Sequence, residues 1–153
     1  MEFVNEYKAL IASILVIAGW IFTIWNSNRT TKRTEVRAVC EDITKRCDEI
    51  ASVSAKFWLD KDLGQNCQIY IMQLEGKLQF LEIRVNNLHV RTSTIFYDSM
   101  TSKISSLRHW ATFNAEDFAN IPEHVRNRNA LQVNRLVINL VTDVEKVFEK
   151  YAG

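Results

Sequence analysis

Apolar residues recur along this chain in two rhythms. The first is an unbroken run from Ala9 to Trp25, ALIASILVIAGWIFTIW, seventeen positions without a charge. At 1.5 Å per residue it makes about 26 Å of helix, lengthened by Phe3, Val4 and Tyr7. A core helix would keep a polar stripe, whereas only Ser13 and Thr23 interrupt this run, and a helix bonds both hydroxyls to its own backbone. The pattern therefore predicts a transmembrane helix over residues 9–25. Its anchor residues are Ala9, Ala12, Gly19, Trp20 and Trp25, with Trp25 at headgroup level and Ala12 and Gly19 offering a close helix–helix seam.

The flanks orient that helix. Glu2 and Glu6 outweigh Lys8 ahead of it, and no small-residue cleavage site follows it, so the segment does not read as a cleaved signal peptide. Arg29, Lys32, Arg33 and Arg37 crowd the distal side, opposed by Glu35 alone. The excess of basic residues marks the cytoplasmic face. The expected organisation is a short extracytoplasmic N-terminus over residues 1–8, the span over 9–25, and a cytoplasmic region over 26–153. The chain is thus expected in the plasma (inner) membrane, with the lipid bilayer as its first partner.

The second rhythm is an alternation of four and three. It runs through Val36, Cys40, Ile43, Cys47, Ile50, Ser54 and Phe57. It returns in Cys67, Ile71, Leu74, Leu78, Leu81, Val85, Leu88, Thr92 and Ile95, and again in Ala130, Val133, Val137, Leu140, Val144, Val147 and Tyr151. Such 3.5-residue periodicity keeps one seam of each helix facing a partner helix. Phe80, Ile83, Leu136, Val141 and Phe148 are read as broadening those seams toward a bundle core. The fold class predicted is all-α: the single transmembrane helix, then an antiparallel three-helix bundle with coiled-coil-like heptads. Its helices cover about 29–59, 65–107 and 122–151.

Punctuation places the breaks. Asp60 to Gly64 separates the first two helices, Asn26-Ser-Asn28 is the place for a kink, and Thr92-Ser-Thr94 is the place where the second helix would bend. A linker over 108–122 carries Trp110, Phe113 and Phe118, with a single turn at Asn114–Phe118, and ends at Pro122, the chain's one proline.

Composition adds little chemistry. The three cysteines include no CxxC pair, and folding the hairpin about residues 62 and 63 sets Cys47 opposite residue 78 and Cys40 opposite residue 85. They read as small buried hydrophobes, and neither a metal nor a cofactor is expected. His89, His109 and His124 are scattered, with no nucleophile–base spacing, phosphate loop or HExxH, so the chain is not expected to be an enzyme. Arg84-Val-Asn-Asn-Leu-His89 resembles the RxxxxH signature of the HEPN ribonucleases, helical bundles with those residues at a dimer cleft. The resemblance covers six residues, with Val85 where that family usually has a polar residue. It implies proton transfer by His89 and phosphate stabilisation by Arg84. A basic, amide-rich stretch includes His124, Arg126, Arg128 and Arg135, yet the net charge is only +1, so nucleic acid is not an expected partner.

The function these features predict is a membrane-anchored helical interaction module, an adaptor, scaffold or signal-coupled effector. It would act as a homo-oligomer, on a cytoplasmic protein partner, or both. The candidate partner surface is Trp110, Phe113, Phe118, Arg126 and Arg128. Two alternatives are a membrane-disrupting effector of a bacterial defence or toxin system, and a HEPN-like ribonuclease using Arg84 and His89.

Overall fold

The computed structural model describes the backbone of residues 2–60 and 66–152 and the side chains of 14–60 and 66–151. The predicted turn at Gly64 and the anchor residues Ala9 and Ala12 therefore lie outside the residues whose side chains are described. Among the described residues the elements follow in the order α1 (Glu2–Leu59), α2 (Cys67–Thr92), α3 (Tyr97–Thr112), a 3-10 helix (Ala115–Asn120) and α4 (Glu123–Ala152). The chain divides into two compact units, Met1–Glu35 and Val36–Gly153.

In the first unit the transmembrane expectation is overturned. Among the described residues no helix is long and apolar enough to cross a membrane. The uncharged run itself, Ala9 to Trp25, amounts to about 26 Å of helix, short of a hydrocarbon layer of about 30 Å. Beyond Trp25 the helix passes straight into Asn26, Ser27, Asn28 and Arg29. The single-pass topology, the inner-membrane location, the bilayer as partner and the membrane-disrupting effector all rested on that span, and they fall with it. Gly19, Trp20 and Trp25 are exposed helix positions, and Arg29 lies over the Trp25 ring at 5.7 Å. Lys32 and Arg33 follow on the same helix.

The predicted kink at Asn26–Asn28 is also absent. Hydroxyls instead fold back onto the helix: Thr23 donates to the Gly19 carbonyl, Thr30 to Asn26, Thr31 to Ser27 and Thr34 to Thr30, at 2.8–3.0 Å. These bonds satisfy the polar side chains without interrupting the backbone ladder.

The second unit is an up-and-down bundle of the C-terminal part of α1 with α2, α3 and α4. All seven positions of the first heptad series are buried, and so are Leu74, Leu78, Leu81, Val85, Leu88 and Thr92 of the second. The third series buries every position from Ala130 to Val147. The α1–α2 register falls within one residue of the hairpin folded from sequence: Glu49 binds Lys77 at 2.8 Å and Asp42 binds Arg84 at 2.7 Å.

The three-helix count is corrected, because the predicted 65–107 helix is two antiparallel helices. Thr92 donates to the Leu88 carbonyl at 2.6 Å, Ser93 turns left-handed at φ 47°, and the Thr94 hydroxyl accepts from the Phe96 amide at 3.2 Å. Short hydroxyl side chains offer the backbone local partners that compete with the helix, and three in a row end it here. The seam changes phase across the break: Ile95 is exposed, and α3 buries Met100, Ile104, Leu107 and Ala111 instead.

Bonds along its length fix α3 against its neighbours. Arg108 reaches Glu75 at 2.9 Å and Glu82 at 3.0 Å on α2. On the other side Asp143 of α4 accepts from Ser99 at 2.9 Å and from Lys103. At one end the Tyr151 hydroxyl closes onto the Thr92 carbonyl.

Candidate functional site

α2 carries two apolar faces, and only one has a partner inside the bundle. At about 100° per residue, Ile69, Met72, Gly76, Phe80, Ile83 and Val90 fall within an arc of about 80°, nearly opposite the Leu74–Leu88 seam. Ile69 is 51% exposed, Met72 70%, Phe80 58%, Ile83 48% and Val90 73%. Phe80 and Ile83 therefore do not broaden the core, as their spacing suggested. Leu136, Val141 and Phe148 do pack against it, each partly buried.

The flanks of α2 explain why this face stays outward. Lys77 and Arg84 lie on one flank and bind the carboxylates of α1; Glu75 and Glu82 lie on the other and bind Arg108 of α3. Each pair is partly exposed and worth only a fraction of a kcal/mol to about 1 kcal/mol. Their sign pattern nevertheless fixes which side of α2 meets α1 and which meets α3, and the outer stripe is what remains. Nearest the stripe are the neutral amides Gln68, Gln73, Gln79, Asn86 and Asn87, with Arg91 at its edge beside Val90. Arg46 of α1 reaches over the edge to within 5.5 Å of the Phe80 ring, its guanidinium also held by Asp42 at 3.1 Å.

The stripe's middle is open. A Cβ added at Gly76 would meet nothing within 4 Å. Five side chains at half to three-quarters exposure present on the order of 500 Å² of apolar surface, near the upper end for the largest patch of a monomer.

The surface expected from the sequence is differently placed. Phe118 is buried at the bundle end, its ring centroid 4.9 Å from Phe57 and 6.1 Å from Trp58. Phe57 in turn stacks on Tyr70 at 3.7 Å. Arg126 is buried with its guanidinium 5.0 Å from the Phe118 ring, whereas Arg128 is exposed and lies 5.7 Å from the Trp110 ring. Trp110 and Phe113 are half-buried, 6.2 Å apart with His109 between them in contact with both. So the five residues share one end of the bundle, but Phe118 and Arg126 are internal there. Trp58 Nε1, Arg126 Nε and both amide atoms of Asn129 are buried at α1 and α4 without a hydrogen-bond partner among the described residues.

Arg84 and His89 are not brought together. Arg84 turns to Asp42 on α1, while the His89 ring stacks on Tyr97 of α3 at 4.3 Å. Positions five apart diverge by about 140° around a helix, which sends them to different neighbours.

Cys40 and Cys47 are free and buried, and Cys67 is half-buried. Burial, with Glu41 nearby, lifts the Cys40 thiol to about 11; burial, with Asp48 nearby, lifts Cys47 to about 12. Thiols raised this far are poor nucleophiles near neutrality. Among the described residues no group of three or more His, Cys, Asp or Glu side chains is arranged to hold a metal ion. A groove between α1 and α4 has Cys40, Val144 and Phe148 among its lining residues, with Arg37, Glu41, Lys45, Asp48 and Glu145 mixing both signs of charge around it. Arg37, expected beside a membrane, there pairs with Glu41 at 2.8 Å.

No family model matches this chain, and neither the curated proteins nor the solved structures contain a match to it.

Proposed function

We propose that the chain is a helical interaction module whose working surface is the outer face of α2, acting by binding rather than by catalysis. One observation carries this reading: a single helix bears a second apolar stripe, about six turns long, with no partner inside its own bundle. Exposed apolar side chains scattered singly are ordinary; a contiguous row of this extent marks an interaction surface. The ion pairs on either flank support it further, since they tie those flanks to α1 and α3 and orient the stripe outward. Central apolar anchors within a polar rim are the usual anatomy of a protein interface.

The test compares the native full chain with a Phe80→Glu, Ile83→Glu variant, expressed at equal levels and sedimented from cell extract. Both positions face outward, so the variant keeps its helical content by circular dichroism. The native chain is expected in an assembly larger than a monomer, and the variant outside it. A folded variant that stays in the same assembly removes α2 as the working surface.

A further inference from the structure

Taking the outer face of α2 as the working surface, we infer that its partner is a second copy of this chain, with α2 packed antiparallel against α2. The inference rests on that reading and adds the identity and geometry of the partner. The stripe is self-complementary about a twofold axis passing between Gln79 and Phe80. Turned end for end, Ile69 meets Val90 of the other copy, Met72 meets Asn87, and Gly76 meets Ile83. Large faces small at the third pair: the open space above Gly76, where a Cβ would touch nothing, admits the Ile83 side chain. An in-register parallel pair would set Gly76 against Gly76 and leave a gap between the helices, forfeiting contacts on both sides.

Charge points the same way. A twofold axis of this kind brings like flanks together, so unpaired charges there would repel. Instead Glu75 and Glu82 are held by Arg108, Lys77 by Glu49, and Arg84 and Arg46 by Asp42. Most neighbours of the stripe are amides that both donate and accept, and they suit a copy of themselves. In this register the exposed Arg91 at the stripe's edge faces the neutral Gln68 of the other copy and not a like charge.

The area suffices. On the order of 500 Å² of apolar side chain from each copy gives about 1,000 Å² in total before the amides are counted, the threshold for a specific protein–protein contact. The stripe spans about 32 Å along the helix, so the copies would touch along most of α2. A closed twofold contact ends at two copies and does not propagate.

Position-specific cross-linking of the full chain tests this. In a Cys67→Ser background, which removes the half-buried thiol, Ile69→Cys and Val90→Cys are made as separate variants with different tags and treated with a short bis-maleimide. Cross-linked dimer is expected when the two are mixed, and neither variant is expected to cross-link to itself. Self-cross-linking of Ile69→Cys without the mixed product would show a parallel pair and overturn the arrangement. A chain that sediments as a monomer and gives no cross-link overturns the second copy. The interaction reading then still stands if Phe80→Glu, Ile83→Glu releases the chain from a larger assembly in extract, and falls if it does not. A dimer without any cross-link at these positions overturns the antiparallel α2 pairing, and the interaction reading is then decided by the same Phe80→Glu, Ile83→Glu release.

Discussion

The Tyr70 hydroxyl donates a 2.9 Å hydrogen bond to the carbonyl of Ala111, joining the start of α2 to the last turn of α3. That carbonyl is among the last four of α3 and has no donor within its own helix, so Tyr70 caps it. Ser54 of α1 lies 3.3 Å from the same hydroxyl, and the Tyr70 ring stacks on Phe57. One side chain thus ties three helices at one end of the bundle. Tyr70→Phe keeps the stacking but leaves a buried carbonyl unpaired. It is expected to lower stability by about 1–3 kcal/mol, read from urea unfolding. An unchanged midpoint would mean that the stacked rings alone hold this end.

Acid acts through Asp143. Burial by itself would raise its pKa, but hydrogen bonds from Lys103 and Ser99 and the charges of Lys103 and Lys146 outweigh that and hold it below the ordinary carboxylate value. Its folded pKa is depressed, so its contribution is present above the unfolded value and is lost as pH falls through the folded one. Asp143→Asn is expected to destabilise the bundle near neutral pH and to flatten the acid limb of the stability curve below about pH 4. Parallel acid limbs in the two proteins would assign the effect to other carboxylates.

Alkali acts with the opposite sign. Burial raises Cys40 to about 11 and Cys47 to about 12, and it raises Tyr70 to about 12 despite the opposing hydrogen bond with Ser54. With folded values above the unfolded ones, stability is complete below the unfolded pKa and is lost as pH rises toward the folded values. Under reducing conditions the urea midpoint is expected to decline progressively above about pH 9. A midpoint unchanged between neutrality and strong alkali would show that these three groups ionise alike folded and unfolded.

Asn129 is fully buried on α4 with neither amide atom paired among the described residues. Replacing an unpaired buried amide by an apolar side chain of similar volume removes a desolvation penalty of about 1–3 kcal/mol. Asn129→Leu is therefore expected to raise the thermal midpoint, by roughly 4 °C for each kcal/mol gained in a bundle of this size. A lower midpoint would show the amide to be a required polar contact.

Much of the bundle was legible in the sequence because the 4-3 seams report burial directly: Ile43, Leu78 and Leu140 stand at heptad positions and are fully buried. The break at Ser93 was harder to place. It depends on hydroxyl bonding within Thr92-Ser-Thr94, and those residues are also tolerated inside helices. The run Ala9–Trp25 misleads because freedom from charge is not length: about 26 Å of helix falls short of a hydrocarbon layer of about 30 Å. The outer stripe of α2 was present in the spacing of Ile69, Met72, Phe80, Ile83 and Val90, but apolar residues beside a strong seam read as more of the same core. Only the ion pairs to α1 and α3 show which side of the helix was already occupied. Phe118 and Arg126 misled in the other direction, since an aromatic linker beside a basic helix start looks open until the ring is found against Phe57 and Trp58.

Whether the outer face of α2 is the surface that works is tested most directly by the thioether of Met72, which is 70% exposed in the isolated bundle. Its rate of oxidation by dilute peroxide, followed by mass spectrometry of the full chain, is measured under dissociating dilution and at assembling concentration. Met72 is expected to become protected as the assembly forms, while Met100, fully buried in the core, is slow throughout. Equal Met72 oxidation in the dilute and the assembled chain would contradict it.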